Sequence, residues 1–190
     1  MPVASRALVA LGWLLFFGFF LFRRSPAEPG GVKRDSVSLL GIALQGLAFA
    51  AVWMIQRPIP RAGAHLELVE VALDLAAPVL SIASAWFGLW AVRTLGRQWS
   101  YAARLIEGHQ LIVAGPYRWV RHPIYTAMLG KLIATNFAFG HPLGLGIALV
   151  FYMAGTAIRI RSEERLLRGT FGTQYDDYAR RVPALIPGIY

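Results

Sequence analysis

Apolar residues fall into five runs separated by short polar stretches, at 7–22, 39–55, 71–92, 124–139 and 143–158. Each is close to the roughly 20 residues that carry an α-helix through hydrocarbon. Flanking aromatic and arginine residues extend the shorter ones toward the headgroups. The pattern predicts an all-α integral membrane protein with about five transmembrane helices. The third run contains Asp74 and Pro78, and the fourth contains Lys131. Asp74 is expected at the interface, and Lys131, about two turns into its helix, is expected to snorkel to it. Only "GHP", 140–142, separates the last two runs, which predicts a tight antiparallel hairpin. The first run follows Arg6 as a signal-peptide core would. Arg23 and Arg24 follow it directly and no small-x-small cleavage pattern does, so it is expected to be retained.

Composition supports lipid as the solvent. The 190 residues are 56% hydrophobic and 15% charged, against about 45–50% and about 25% in soluble domains. A net charge of +9 in a soluble protein points to nucleic acid. Here the charge sits in blocks between apolar runs, so the bilayer is the expected partner and nucleic acid is not. Four basic residues lie in 23–34, five in 93–123 and six in 159–181, against Arg6, Arg57 and Arg61 on the other side. This asymmetry predicts the N-terminus outside and the C-terminus in the cytoplasm. The Ala-, Gly- and Arg-rich composition suggests a bacterial inner membrane. No cysteine is present, which removes disulfides, thiolate catalysis and cysteine-based metal sites.

The 93–123 stretch is too polar to span and reads as a cytoplasmic insert. From Ser162 onward the tail reads as an amphipathic helix, with Phe171, Tyr175, Tyr178 and Val182 on one face. Chemistry concentrates in two places. In "RHPIY", 121–125, Pro123 suits the first turn of a helix and His122 its cap. A helix start here offers backbone N–H groups and a positive dipole end to a carboxylate. The same residues also suit an ordinary aromatic belt with snorkelling arginines, and both readings stay open at this point. In "RIRSEERLL", 159–167, Arg159 and Glu163 are four apart and share a helix face. Glu-before-Lys/Arg is the better order for such a pair, so Arg-before-Glu argues for a task beyond helix stability. Glu164 and Arg161 point elsewhere on the wheel and are expected to be solvated. His109 and His122 lack companions at a metal-binding spacing, so no metal is expected. There is no glycine-rich phosphate loop and no GxSxG elbow.

The blocks "EGHQLIVAGPYRWVRHPIY" and "RSEERLLRGTFGTQYDDYARRVPALIP", separated by an apolar hairpin, resemble the isoprenylcysteine carboxyl methyltransferase family and its prokaryotic membrane relatives. The likeness covers residues 97–187. It implies a helical bundle with a cytosol-facing pocket for S-adenosylmethionine, released as S-adenosylhomocysteine. The family's cofactor-binding positions fall on His109, Gln110, Leu111, Ile112, Tyr117, His122, Pro123, Ile124, Tyr125 and Glu163. Its catalytic, substrate-side arginine falls on Arg159. A further glutamine of characterised members falls on Ala102, with Gln98 the nearest glutamine. The implied organisation is one membrane domain, with three N-terminal helices in 1–92 and the methyltransferase region in 93–190.

The implied reaction is in-line methyl transfer to the carboxylate of a lipophilic acceptor, isoprenoid or prenylcysteine-like. A carboxylate is already a nucleophile at neutral pH and needs no general base, whereas an amine does. The rival readings are a phospholipid N-methyltransferase, a membrane reductase of the sterol-reductase kind, and a non-enzymatic lipid-binding protein on a similar scaffold.

Overall fold

The computed structural model describes residues 2–22, 37–57, 68–99 and 110–188. Six α-helices follow in order: α1 Pro2–Phe22, α2 Val37–Met54, α3 Leu68–Leu95, α4 Pro123–Phe139, α5 Pro142–Phe171 and α6 Thr173–Arg181. Short 3-10 turns cover Gly96–Gln98 and Gly115–Arg118. The protein is an all-α integral membrane protein. Among the described residues, α2, α3 and α5 are long and apolar enough to cross a bilayer, and α1 contributes a shorter apolar stretch, Val3–Phe16. The outward faces are apolar as lipid requires: Leu14 is 71% exposed, Val79 68% and Val150 70%.

The termini of α4 and α5 have local causes. Pro123 and Pro142 each occupy a first helical turn, where a missing N–H costs nothing. His141 caps α5 by accepting the Leu143 N–H at 3.2 Å through Nδ1. The hairpin forms as expected, but its two arms pack mainly on other helices. The α5 helix lies along α2, and α4 lies along α3, with α1 against α3 and α4. Two apolar clusters result. One joins Val9, Trp13, Phe16, Ala77 and Ala138, and the other Ala48, Val52, Leu132, Ala148 and Tyr152. Phe49 and Met128 touch both.

Three expectations need correction. Lys131 does not snorkel: it is fully buried, donates to Ser81 Oγ at 2.8 Å and lies 4.8 Å from the Trp13 ring centroid. Three helices close around it, leaving its stem no route to the interface. The tail from Ser162 is not one amphipathic helix. The α5 helix continues through this stretch to Phe171, and Gly172, at φ +52°, turns the chain into the separate helix α6. Left-handed backbone of this kind suits glycine, which has no Cβ to clash. The third correction, at Glu164, belongs to the site. Asp74 is buried and paired with Arg57 at 2.9 Å.

The seam between α2 and α5 is tightest at two glycines. A Cβ on Gly155 would stand 2.6 Å from the Gly41 carbonyl oxygen and 2.9 Å from Leu44 Cβ. Neither obstacle is the end of a flexible side chain, so the helices must part. Gly155→Ala is expected to lower the melting temperature in detergent by an amount corresponding to about 1–3 kcal/mol of overpacking. Gly146→Ala, which meets nothing within 4 Å, is the control and should leave it unchanged.

Candidate functional site

Polar side chains converge where α4 begins and α5 runs past it. His122 is the N-cap of α4, and its ring makes no capping hydrogen bond. It lies between two successive glutamates of α5 instead. Nδ1 is 3.4 Å from Glu163 Oε2, and Nε2 is 3.3 Å from Glu164 Oε1. Successive residues on a helix point about 100° apart, so two adjacent carboxylates reach opposite edges of one ring.

Glu163 collects further donors. The Tyr125 hydroxyl, one turn along α4, donates to its Oε1. Arg159 Nη2 approaches the same oxygen at 3.8 Å. The Arg159 guanidinium also lies 4.9 Å from the Tyr125 ring centroid, and the Tyr125 and His122 rings stack at 5.7 Å and 17°. His122, Tyr125 and Arg159 are 5–9% exposed, while the Glu163 side chain keeps 26%. The acid is therefore the open member of an otherwise closed cluster.

Glu164 is buried at 7% exposure, against the expectation of a solvated residue. It accepts from Arg121 Nε at 3.0 Å and pairs with Arg168 Nη2 at 3.2 Å. These partners come from the loop before α4 and from the next turn of α5, so a single helical wheel does not display them. Arg161 is exposed, as expected. Arg121 reaches onward to the tail, where its Nη1 donates to the carbonyls of Ala179, at 2.7 Å, and Val182. The segment after α6 runs alongside the start of α4. Arg121 N–H donates to Pro183 O at 2.8 Å, His122 N–H to Ala184 O at 2.9 Å, and Thr126 Oγ1 to Leu185 O. Tyr178 is buried on α6 and donates to Tyr117 O at 2.6 Å.

Of the residues expected at the site, His122, Tyr125, Arg159 and Glu163 are brought into contact. Pro123 is buried behind them and Ile124 half-buried. Tyr117 is buried and held by α6. Gln110, Leu111 and Ile112 lie in a stretch without regular secondary structure, with Gln110 N–H donating to Gln98 Oε1 at 2.6 Å. Among the described residues no hydrogen bond ties these three to the His122–Glu163 cluster. His109 and Ala102 lie outside the described residues. Sequence reasoning missed Gln45, which accepts from Arg159 Nη1 at 3.2 Å, and the joint part of Arg121 and Glu164. The doubled glutamate within "RSEERLL" was the available signal for the latter. Nothing local signalled Gln45.

Two of these groups lie outside the membrane-spanning segments and are displaced from their ordinary ionisation. Burial alone lowers the His122 imidazole, but hydrogen bonds to Glu163 and Glu164 and their charges outweigh it, holding it above the usual 6.5. Both ring nitrogens face carboxylates, and only the imidazolium donates from both. Burial, followed by the charges of Glu163 and Tyr178, pushes the Tyr117 hydroxyl well above its usual 10.0, so it stays neutral.

Fold and site together define a helical membrane protein with a histidine–carboxylate–arginine cluster at one end of its bundle. Residues 77–169 match the family described as isoprenylcysteine carboxyl methyltransferase (ICMT) family, so this half of the chain is similar to that family. The protein-S-isoprenylcysteine O-methyltransferase B of Arabidopsis thaliana is 33% identical over 99 residues, 51% of this chain and 50% of that protein. The nickel-cobalt-cadmium resistance protein NccN of Alcaligenes xylosoxydans xylosoxydans is 37% identical over 99 residues, 50% of this chain and 44% of that protein. The methanethiol S-methyltransferase 2 of Bradyrhizobium diazoefficiens is 40% identical over 77 residues, 39% of this chain and 27% of that protein. The chain spans about half the length, or less, of these relatives.

The raised imidazole makes stability depend on pH in a defined direction. A group whose folded value is raised stabilises fully below its unfolded value, near 6.5, and loses that contribution as pH climbs through the folded value. The melting temperature in detergent is expected to fall on going upward from pH 6.5. His122→Gln should flatten that slope and be less stable than wild type at pH 6. An unchanged slope in the variant assigns the pH dependence elsewhere.

Proposed function

We propose that the protein is a membrane methyltransferase that binds S-adenosylmethionine and methylates a lipophilic acceptor, isoprenoid or prenylcysteine-like, on a carboxylate. The observation that carries the reading is the quarter-exposed Glu163 carboxylate among buried His122, Tyr125 and Arg159. It is supported by the family match, which covers these residues, and by the methyltransferase names of two relatives.

The donor set fits the cofactor. An open carboxylate suits an ammonium group and ribose hydroxyls, and aromatic rings beside it suit a sulfonium and an adenine. On this reading His109 to Ile112, Tyr117, His122 to Tyr125 and Glu163 hold the cofactor, and Arg159 holds the acceptor. The cofactor supplies an electrophilic methyl: the acceptor oxygen's lone pair forms the new O–C bond as the S–C bond breaks, leaving a neutral thioether. The protein's part is alignment and exclusion of water. His122, set between Glu163 and Glu164, fixes the open acid. The Arg159 guanidinium is planar and suited to a two-point grip on a carboxylate. The site then faces the cytoplasm of a bacterial inner membrane, with the N-terminus outside, five transmembrane helices and one domain over 1–190. The methanethiol relative favours a second acceptor class, a thiol, which enters the same scheme as a thiolate.

Calorimetric titration of S-adenosylhomocysteine into the detergent-purified protein tests the reading. Micromolar binding, about −8 kcal/mol, is expected for wild type. Glu163→Ala and Tyr125→Ala are expected to abolish it while each still melts cooperatively. Absence of binding by cooperatively melting wild type rejects the proposal.

A further inference from the structure

We propose that the C-terminal segment 179–185 is a functional part of the cofactor site, with Arg121 as the positioning residue that links its docking to occupancy of the Glu163 cluster. The inference rests on the reading of that cluster as the cofactor site and extends it to residues beyond the matched 77–169.

The link begins at a donor that the tail lacks. The carbonyl of Ala179, near the end of α6, would ordinarily accept from the amide four residues on. That residue is Pro183, which has no N–H. Arg121 Nη1 supplies the donor instead, bonding Ala179 O at 2.7 Å and also Val182 O at the helix C-cap. A cation is favoured at this end of a helix. The contact continues along the chain: Arg121 N–H donates to Pro183 O, His122 N–H to Ala184 O, and Thr126 Oγ1 to Leu185 O. In all of these bonds the tail offers main-chain carbonyls. The donors lie within 121–126, the stretch that also holds His122 and Tyr125.

Another edge of the same guanidinium faces the site. Arg121 Nε donates to Glu164 Oε1 at 3.0 Å, and that one oxygen also stands 3.3 Å from His122 Nε2. A guanidinium is a rigid plane, so carbonyls that fix Nη1 also fix Nε, and through it the oxygen against the ring. The other ring nitrogen, Nδ1, lies 3.4 Å from Glu163 Oε2. Position therefore passes from the tail through Arg121, Glu164 and His122 to the open acid. These intermediates are largely closed to water, with side-chain exposures of 13%, 9% and 6%, so a displaced partner is costly to replace. Removing Arg121 leaves Glu164 to Arg168, half-exposed and 3.2 Å from Oε2, which draws the carboxylate away from the ring. A docked tail that improves the fit of the site is, by linkage, held more firmly when the site is filled, and by the same factor.

The test uses the full chain in detergent with S-adenosylhomocysteine as the probe. Hydrogen exchange of amides 179–188 is followed by mass spectrometry, beside calorimetric affinity, for wild type, Arg121→Gln and Thr126→Val. In wild type, saturating probe is expected to slow exchange of this segment about fivefold. Arg121→Gln should exchange faster without the probe and bind it about tenfold more weakly. Thr126→Val is nearly isosteric and leaves the Arg121–Glu164 pair in place while removing the bond to Leu185 O. It should weaken binding by a smaller factor, about threefold, and it decides the matter if Arg121→Gln does not melt cooperatively. Tail exchange unmoved by the probe overturns the inference. So does an affinity unchanged from wild type in the folded variant, which is what a purely structural bond gives. Wild type that does not bind S-adenosylhomocysteine rejects the underlying reading instead.

Discussion

A histidine ring held between two carboxylates is the interaction on which the rest of this site depends. Charges at the edge of a bilayer are expensive unless paired, and His122 pairs with both members of the Glu163–Glu164 doublet at 3.3–3.4 Å. From that centre the polar network runs two ways. Through Glu164 and Arg121 it reaches the carbonyls of Ala179 and Val182 in the tail. Through Glu163 and Arg159 it reaches Gln45 on α2. One adjacent pair of acids thus couples four parts of the chain. The direction that holds Glu164 is closed, and the one that holds Glu163 is open.

The helices were largely legible because lipid imposes a strong rule: every exposed face must be apolar and every backbone group paired internally. The 124–139 run became α4, Pro123–Phe139. The 143–158 run became the first part of the longer α5, Pro142–Phe171. The extension has a reason in the sequence, since "RSEERLL" consists mostly of good helix formers, and the helix runs on through Gly169 to end at Gly172. Apolarity measured the span and missed the polar continuation. That continuation carries Arg159, Glu163 and Glu164, so the site sits where a hydrophobicity pattern stops being informative.

The residues that were misread share one cause. Lys131 was placed by its depth in its helix and Glu164 by its helical wheel, yet both are buried by elements distant in sequence: α1 and α3 around Lys131, and the 121–122 loop and the tail around Glu164. His122, Tyr125, Arg159 and Glu163 were recognisable from motif resemblance, which carries distant neighbours implicitly. Gln45 falls outside the resemblance and was invisible to it. A glutamine in an apolar helix signals only that a polar partner is needed, not which one.

The bond between the tail and the start of α4 bears on biosynthesis. Residues 179–185 leave the ribosome after the five apolar runs that end at 158, and they supply the carbonyls that receive Arg121 and His122. The helices can therefore enter the bilayer before the polar cluster has its final partners. A chain stalled before residue 179 thus has helices α1 to α5 without the carbonyls that complete the polar cluster.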